Sequence, residues 1–417
     1  MTEVVDEVRV DVSTARVYAE GWQSWSPAGW HPVTADGPRP EQEWQHLMRF
    51  RPGTPVAERG LQGEGLLVLD PGDGAPVRRY ATSDLTGVPT LHATLDGTSV
   101  VVRSSGPVDV SEHETGPAAL AAYGDQLAVP LAAPPTVWCS WYRFFEEVTA
   151  DDVLEALRSF DPHDLTVDLV LVDDGWSPGL GEGLRPAERF GSLERVVDEV
   201  RGSGRRAGLW LAPFLVGAET TLAREHPDWL TGPAGYNWRQ DLVGLDLTHP
   251  AVRDLLADHV RRLVGLGVDY LKLDFLYAGA LAGEAAYRSG LELIREAAGP
   301  DVLLVGCGAP LLPSVGLVDV MRVSPDTFHE GGEDGSTGLR GLPPLEARDW
   351  QQGRLWVNDP DCVVARPSYA LREEWAEAAA RLGGLRSFSD RVSELDAWGL
   401  DAVRALLARG GSAEPLT

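Results

Sequence analysis

Two charges stand inside an apolar run at residues 268–279, VDYLKLDFLYAG, where Lys272 and Asp274 lie two positions apart without solvent-friendly neighbours. A buried Lys–Asp pair is costly and seldom kept for stability alone, so both residues are candidates for chemistry. Other apolar runs end in the same way. VDLVLVDDGW delivers Asp173 and Asp174, then Trp176, and VDVMRVSPD delivers Arg322 followed, past Pro325, by Asp326. RLWVND ends in Asn358 and Asp359, TVWCSWY carries Trp141 and Tyr142, RAGLWLAPF carries Trp210, and VLLVGCG carries Cys307. Taken singly, an Asp after a strand is more often a cap or turn residue than a catalyst, and a Trp is more often core than ligand platform. The DPDC run at 359–362 reads as turn chemistry. Four carboxylates, a lysine, an arginine and several aromatics on one rim exceed those readings.

Separated carboxylates among aromatics, with no metal-ligating cluster, point to glycoside hydrolysis. That reaction needs one ionised carboxylate at the anomeric carbon and one protonated carboxyl for the leaving oxygen. The environment must split the two pKa values. Asp274 beside Lys272 is favoured to stay ionised, because a nearby cation lowers a carboxylate pKa. Asp326, on a loop after Pro325, lies within reach of solvent and can exchange protons with water. Which of the two attacks and which protonates stays open on this reasoning. The nine histidines form no HExxH or paired-His motif, so no metal and no cofactor is expected.

Such residues must be held by strands that end at a common mouth. Eight β-rich runs follow residue 134: 136–142, 167–174, 206–214, 269–275, 302–308, 318–324, 354–359 and 385–390. Amphipathic stretches such as SLERVVDEVRGSG, AVRDLLADHVRRLVGLG and AYRSGLELIREAAG separate most of them, with apolar residues at three-and-four spacing. Eight alternations in this length predict an α/β fold, a (β/α)8 TIM barrel, whose chemistry sits at the C-terminal strand ends. A doubly wound open sheet would carry a Gly-rich phosphate loop after an early strand, and none is present. APLLPSVGL, between runs five and six, shows no clear helix. Within 270–275 alternation turns Leu271, Leu273 and Phe275 toward the outer helices and Tyr270, Lys272 and Asp274 inward. Residues 1–133 read instead as a short N-terminal β-sandwich-like domain, with VRVDVSTARVYAE, GLLVLDP and LHATLDGTSVVVRS broken by turns. The expected domains are 1–133 and 134–417, joined at VPLAAPPT (129–136).

Composition narrows the partners. With 417 residues, 43% hydrophobic and 24% charged, the chain is that of a globular protein without a membrane-spanning run. A net charge of −27 argues against nucleic acid or an anionic membrane as partner. Fourteen Trp exceed the nine Tyr and nine Phe, and indole faces stack on the C–H faces of pyranoses. Cys139, Cys307 and Cys362 are odd in number and far apart, and the start MTEVVDEVRV has no basic or apolar leader pattern. A reduced, cytoplasmic protein acting on a small-molecule carbohydrate is expected, its oligomeric state left open.

At these residues the sequence resembles glycoside hydrolase family 36, the clan D α-galactosidases. The motifs are WCSWY, VDDGW, GLWLAPF, EHPDWL, LDLTHP, KLDFLYAGA, GCGAPLLPSVGLVDVMRVSPDT and WVNDPDC, in family order between residues 137 and 362. GWQSWSP (21–27) matches the segment that the family's β-domain extends toward its site. The resemblance implies a retaining, exo-acting α-galactosidase working by double displacement, with Asp274 as nucleophile and Asp326 as acid/base. It implies that Asp173 and Asp174 hold the sugar hydroxyls, mainly at positions 4 and 6. Lys272 and Arg322 would bind hydroxyls and tune the two carboxylates, and Cys307 would lie near the 2-hydroxyl. Trp210 and Tyr142 would line the pocket, with Trp25 reaching in from the N-terminal domain. A galactosyl transferase, a hydrolase of another α-linked sugar and, further off, a non-catalytic carbohydrate-binding protein are the alternatives. Against that resemblance, the β region reads as shorter than the family's usual sandwich, and with the eighth barrel helix near residue 409 the customary C-terminal β-domain is not expected within these residues.

Overall fold

Leu66–Asp70 shows how the N-terminal region packs. Alternate side chains of a strand point to opposite faces, and here both faces are buried. Leu67 and Leu69 join one apolar cluster with Val8, Val17, Tyr80, Leu91, Val100 and Val102. Leu66 and Val68 join the other, which runs continuously into the barrel. The strand therefore reads as an unbroken apolar run because it lies between a second sheet and the barrel. The computed structural model describes residues 2–237, 239–328 and 334–416.

Two antiparallel sheets form the N-terminal region. One orders Glu3–Arg9, Ser99–Ser104, Thr90–Asp96 and Leu61–Glu64. The other orders Gly29–Pro32, Arg16–Ala19, Leu66–Asp70, Val77–Ala81 and Asp109–His113. Helix occurs here too: Gly116–Gln126, capped by the Thr115 side chain, and the seven-residue Glu43–Arg49. The latter has no side-chain cap, which is why turn and cap signals did not mark it.

The eight runs after residue 134 all become parallel strands: Thr136–Cys139, Leu169–Val172, Arg206–Leu211, Val268–Leu273, Leu303–Gly306, Val320–Arg322, Val357–Asp359 and Arg386–Phe388. They hydrogen-bond in chain order, with the eighth beside the first, as one sheet of a (β/α)8 barrel. Each strand is shorter than its apolar run. Past Val172, for example, Asp173 and Asp174 turn their carboxylates onto neighbouring backbone N–H groups and end the ladder. The outer helices bury the residues their spacing marked: Val196, Val197 and Val200 on Leu193–Gly202, and Val252, Leu256, Val260 and Leu263 on Pro250–Leu266. Helix Glu284–Ala298 buries Tyr287, Leu291 and Ile294. Between strands five and six only Leu311–Ser314 is helical, as APLLPSVGL suggested.

Two departures matter for the site. Strands three and four are separated by a small antiparallel sheet, Leu215–Gly217, Leu230–Asn237 and Gln240–Leu245, that stands over the mouth. Strands seven and eight share no ladder. Pro360 has no N–H to give and Asp361 takes φ 93°, so the ladder stops after Asp359. The seam is closed by Gly384 N–H to Asn358 O (2.9 Å) and by Val363, which exchanges bonds with Ser387 and Ser389. No helix among the described residues is long and apolar enough to cross a membrane.

Candidate active site

Lys272 does not pair with Asp274. Its ammonium sits 2.8 Å from Asp173 Oδ2, across the barrel from strand four to strand two. Strands two and four flank strand three on either side, so sequence proximity could not reveal this partner. Both side chains are buried, and Asp173 also accepts from the Cys139 thiol at 3.3 Å, while its backbone N–H donates to Ser140 Oγ at 2.9 Å. Desolvation works against the lysine's charge, but Asp173 and the neighbouring acids outweigh it and hold its pKa well above the ordinary value. Asp174 follows, its carboxylate accepting from Gly175 N–H at 2.7 Å. Burial, reinforced by the charges of Asp173, Asp274 and Glu146, pushes its pKa up to about 7.

Asp274 is held by other groups. Trp210 Nε1 donates to Oδ2 at 2.9 Å and Phe275 N–H donates to Oδ1 at 2.8 Å, while the nearby Cys307 thiol also favours the ionised form. Trp210 is in turn fixed by Trp176, whose indole N–H donates to its carbonyl at 2.9 Å. The Lys272 charge does favour the ionised form of Asp274, as expected, but it does not decide the balance. Burial dominates and raises its pKa, with Lys272, Trp210 and Cys307 opposing, and with Asp326 adding to the rise. The expected orientation of Phe275 is corrected: strand four ends at Leu273, and Phe275 adopts φ 52°. Its ring then turns into the cavity, edge-on to Trp25 and Trp210, instead of toward the outer helices.

Beyond strand six, Arg322 Nη2 lies 3.3 Å from Asp326 Oδ1 and donates to the Pro325 carbonyl at 3.1 Å. Asp361 anchors that arginine. Its Oδ2 takes the Arg322 guanidinium, the Tyr142 hydroxyl at 2.5 Å and the Thr327 N–H at 2.9 Å. The DPDC turn reading was incomplete. Asp361 N–H does bond Asp359 Oδ1 in a tight turn, yet the turn aims the Asp361 carboxylate at Arg322. Asn358 is wholly internal, donating to the Arg348 carbonyl at 2.9 Å.

These groups surround a cavity of about 300 Å³ at the C-terminal mouth. Asp173, Asp174, Lys272 and Asp274 form its floor, Trp25, Trp210 and Phe275 its walls, and Asp326 a further side. Tyr142, Arg322 and Cys307 stand behind this lining, while Trp141, next to Tyr142, is part of it. The entrance is built by residues that no strand-end pattern marked: Trp44, Met48 and Arg49 from helix Glu43–Arg49, Tyr236 and Asn237 from the inserted sheet, and Arg340. A bias toward Trp was their only trace in the sequence.

Trp25 reaches the cavity because GWQSWSP is stitched to the barrel. Ser24 N–H bonds Ala309 O at 2.9 Å, Ala309 N–H returns to Ser24 Oγ at 3.2 Å, and Leu311 N–H bonds Trp22 O at 3.0 Å. Gly308, at φ 56°, presents bare backbone to the Trp25 indole, where a Cβ would come within 3.0 Å of the ring. The indole N–H of Trp25 is buried without a partner. Arg348, 0% exposed, bonds Glu20, the carbonyls of Gln23, Ser24 and Ser26, and Val323 O of the strand-six end. Among the described residues no three His, Cys, Asp or Glu side chains gather as a metal site.

Residues 133–289 match the Melibiase family model. A solved structure of an α-galactosidase from Thermus thermophilus, in complex with p-nitrophenyl α-D-galactopyranoside, is 30% identical and superposes with a TM-score of 0.83. The match covers 98% of this chain and 89% of that one. The chain belongs to the family 36 α-galactosidases. A second family 36 enzyme, from Geobacillus stearothermophilus, shares the fold at 14% identity and TM-score 0.67, over 97% of this chain and 61% of its own. The bifunctional α-galactosidase/sucrose kinase of Mediterraneibacter gnavus is 28% identical over 42% of this chain. The aligned part spans 20% of that relative's length and 27% of the Emericella nidulans α-galactosidase C.

Proposed function

We propose that this protein is a retaining, exo-acting α-galactosidase that removes terminal α-linked galactose from small α-galactosides. One observation carries the reading: Asp274 and Asp326 line the same cavity from different strand ends, above a floor of Asp173, Asp174 and Lys272. Support for galactose comes from the Thermus thermophilus relative, solved in complex with p-nitrophenyl α-D-galactopyranoside and, in another structure, with stachyose.

In this mechanism the Asp274 carboxylate attacks C1 from the β face while Asp326 gives its proton to the departing oxygen. A covalent β-galactosyl ester on Asp274 results, and the aglycone leaves as an alcohol. Asp326, now ionised, then takes a proton from water, whose oxygen attacks C1 from the α face. The ester bond breaks and α-galactose is released. Trp210 Nε1 and Phe275 N–H fix the two oxygens of Asp274 before substrate arrives, so little reorganisation is needed at the transition state. The Asp173–Lys272 pair and Asp174 hold sugar hydroxyls on the floor, and Trp25 offers an unpartnered indole N–H. Arg322, braced by Asp361, steadies Asp326 from behind. A reducing, cytoplasmic setting accords with three buried, unpaired cysteines.

Proton NMR of the first-formed sugar tests the reading. Hydrolysis of an aryl α-galactoside should release α-galactose first, with the β anomer appearing only by mutarotation. Early β-galactose, or no turnover of any α-galactoside, would overturn it.

A further inference from the structure

The cavity entrance carries two guanidinium groups that none of the chemistry above uses. Arg49 ends helix Glu43–Arg49, Arg340 precedes helix Leu342–Ala347, and both line the cavity together with Asp326. Neither side chain makes an ion pair or hydrogen bond with any described residue. Other arginines around the site are committed: Arg51 to Glu64 and Glu284, Arg348 to Glu20, Arg322 to Asp326 and Asp361. Two of the floor carboxylates are committed too, Asp173 to Lys272 and Asp274 to the Trp210 and Phe275 N–H groups. Arg49 and Arg340 are therefore surplus positive charge at the place where the aglycone must lie.

Their placement is unfavourable without a partner. Burial lowers the Arg49 pKa first, and the Arg340 charge lowers it further, with Asp326 opposing. Two like charges are thus close enough to repel at the mouth of a chain whose net charge is −27. With a screening length of about 10 Å at 0.1 M salt, the charges that line the cavity, the two arginines at its entrance among them, set the potential an entering group meets, and the distant acidic surface does not. Trp44 and Tyr236, 37% and 53% exposed, flank the pair with aromatic faces, and the Arg49 guanidinium lies 5.9 Å from the Trp44 ring centroid.

We propose that Arg49 and Arg340 form an aglycone subsite for an anionic group, so that the preferred substrates are α-galactosides carrying a carboxylate or phosphate beside the scissile bond. The inference rests on the α-galactosidase reading and adds a substrate class to it. Guanidinium groups suit either oxyanion, because they present paired N–H donors to two oxygens. The anion would satisfy both arginines at once, and an apolar or sugar portion of the aglycone would lie on Trp44 and Tyr236.

The test compares matched substrates differing only in charge. 4-(Carboxymethyl)phenyl α-galactoside is paired with its primary amide, and α-galactosylglycerol phosphate with α-galactosylglycerol. In the wild-type chain at low salt, kcat/KM should favour the anionic member of at least one pair by about tenfold or more, and the preference should shrink at high salt. Which pair responds distinguishes carboxylate from phosphate. Arg340→Glu should bring the ratio below one, while Arg49→Lys should keep part of it. Because each variant is read as a ratio within one preparation, partial loss of folded protein does not alter the result. Ratios near one in both pairs, with the neutral substrates turned over, would overturn the subsite and leave the α-galactosidase reading standing. Failure to hydrolyse all four would overturn both.

Discussion

At the residue scale the two proposed catalytic carboxylates should fail differently. Asp274→Ala removes the nucleophile, so kcat/KM should fall at least about 10³-fold on every α-galactoside. Asp326→Ala removes only proton transfer. It should cost about 10²–10⁴-fold on a disaccharide and much less on a dinitrophenyl galactoside, whose leaving group needs no proton. Added azide should yield the β-galactosyl azide with the first variant and the α anomer with the second. Equal losses on both substrates, or swapped azide products, would exchange or remove the roles. Asp174 supplies a stability prediction. Its pKa is raised from 3.8 to about 7 in the folded chain by burial first and neighbouring acids second. The native state thus favours the proton, and ionising Asp174 costs stability. That cost is absent below about pH 4, grows between pH 4 and 7, and is complete above 7, at most a few kcal/mol. Asp174→Asn should therefore melt higher than the parent at pH 8 and converge with it toward pH 4, while losing activity as a sugar-holding group is lost. A melting advantage independent of pH would contradict the linkage, and it would be checked by calorimetry across that range.

Among the elements, GWQSWSP shows most clearly what a strand-end pattern misses. Its motif drew attention to Trp25, but nothing in the segment says that Arg348, more than three hundred residues on, organises it. Arg348 has no exposed surface and five partners among Glu20, Gln23, Ser24, Ser26 and Val323. Removing one side of a buried, hydrogen-bonded ion pair leaves the other charge stranded, at a cost of about 3–5 kcal/mol. Arg348→Met should lower the urea midpoint accordingly and raise KM by loosening Trp25. If stability and KM were both unchanged, the clasp would have no energetic part. Helix Glu43–Arg49 and the inserted sheet Leu215–Leu245 escaped the sequence reading for related reasons. The helix is short and uncapped. Its position depends on Met48 nestling against Gly235, where a Cβ would come within 2.7 Å of the methionine side chain. Such docking is a property of two distant segments meeting, which local periodicity does not encode.

At the scale of the whole molecule, the barrel has one weak line. Strands one to seven are joined by ladders, whereas seven and eight meet through Asn358 O and the single bridge at Val363. Amide exchange should be fastest, among barrel positions, at Val363, Gly384 and Leu385, and slowest in the ladder of strands two to five. Uniform protection around the barrel would mean that side chains, not backbone bonds, carry closure. The sequence determined the eight alternating strands, the inward parity of Lys272 and Asp274, and the set of carboxylates at the mouth. Strand and helix periods are local, and a barrel sends every strand end to one face. Only the tertiary structure decided that Lys272 serves Asp173 rather than Asp274, that Asp361 stands behind Arg322, and that Arg49 and Arg340 meet at the entrance. Those choices depend on which strands and loops become neighbours across the barrel, and on how burial outweighs a nearby charge, neither of which is written in spacing along the chain.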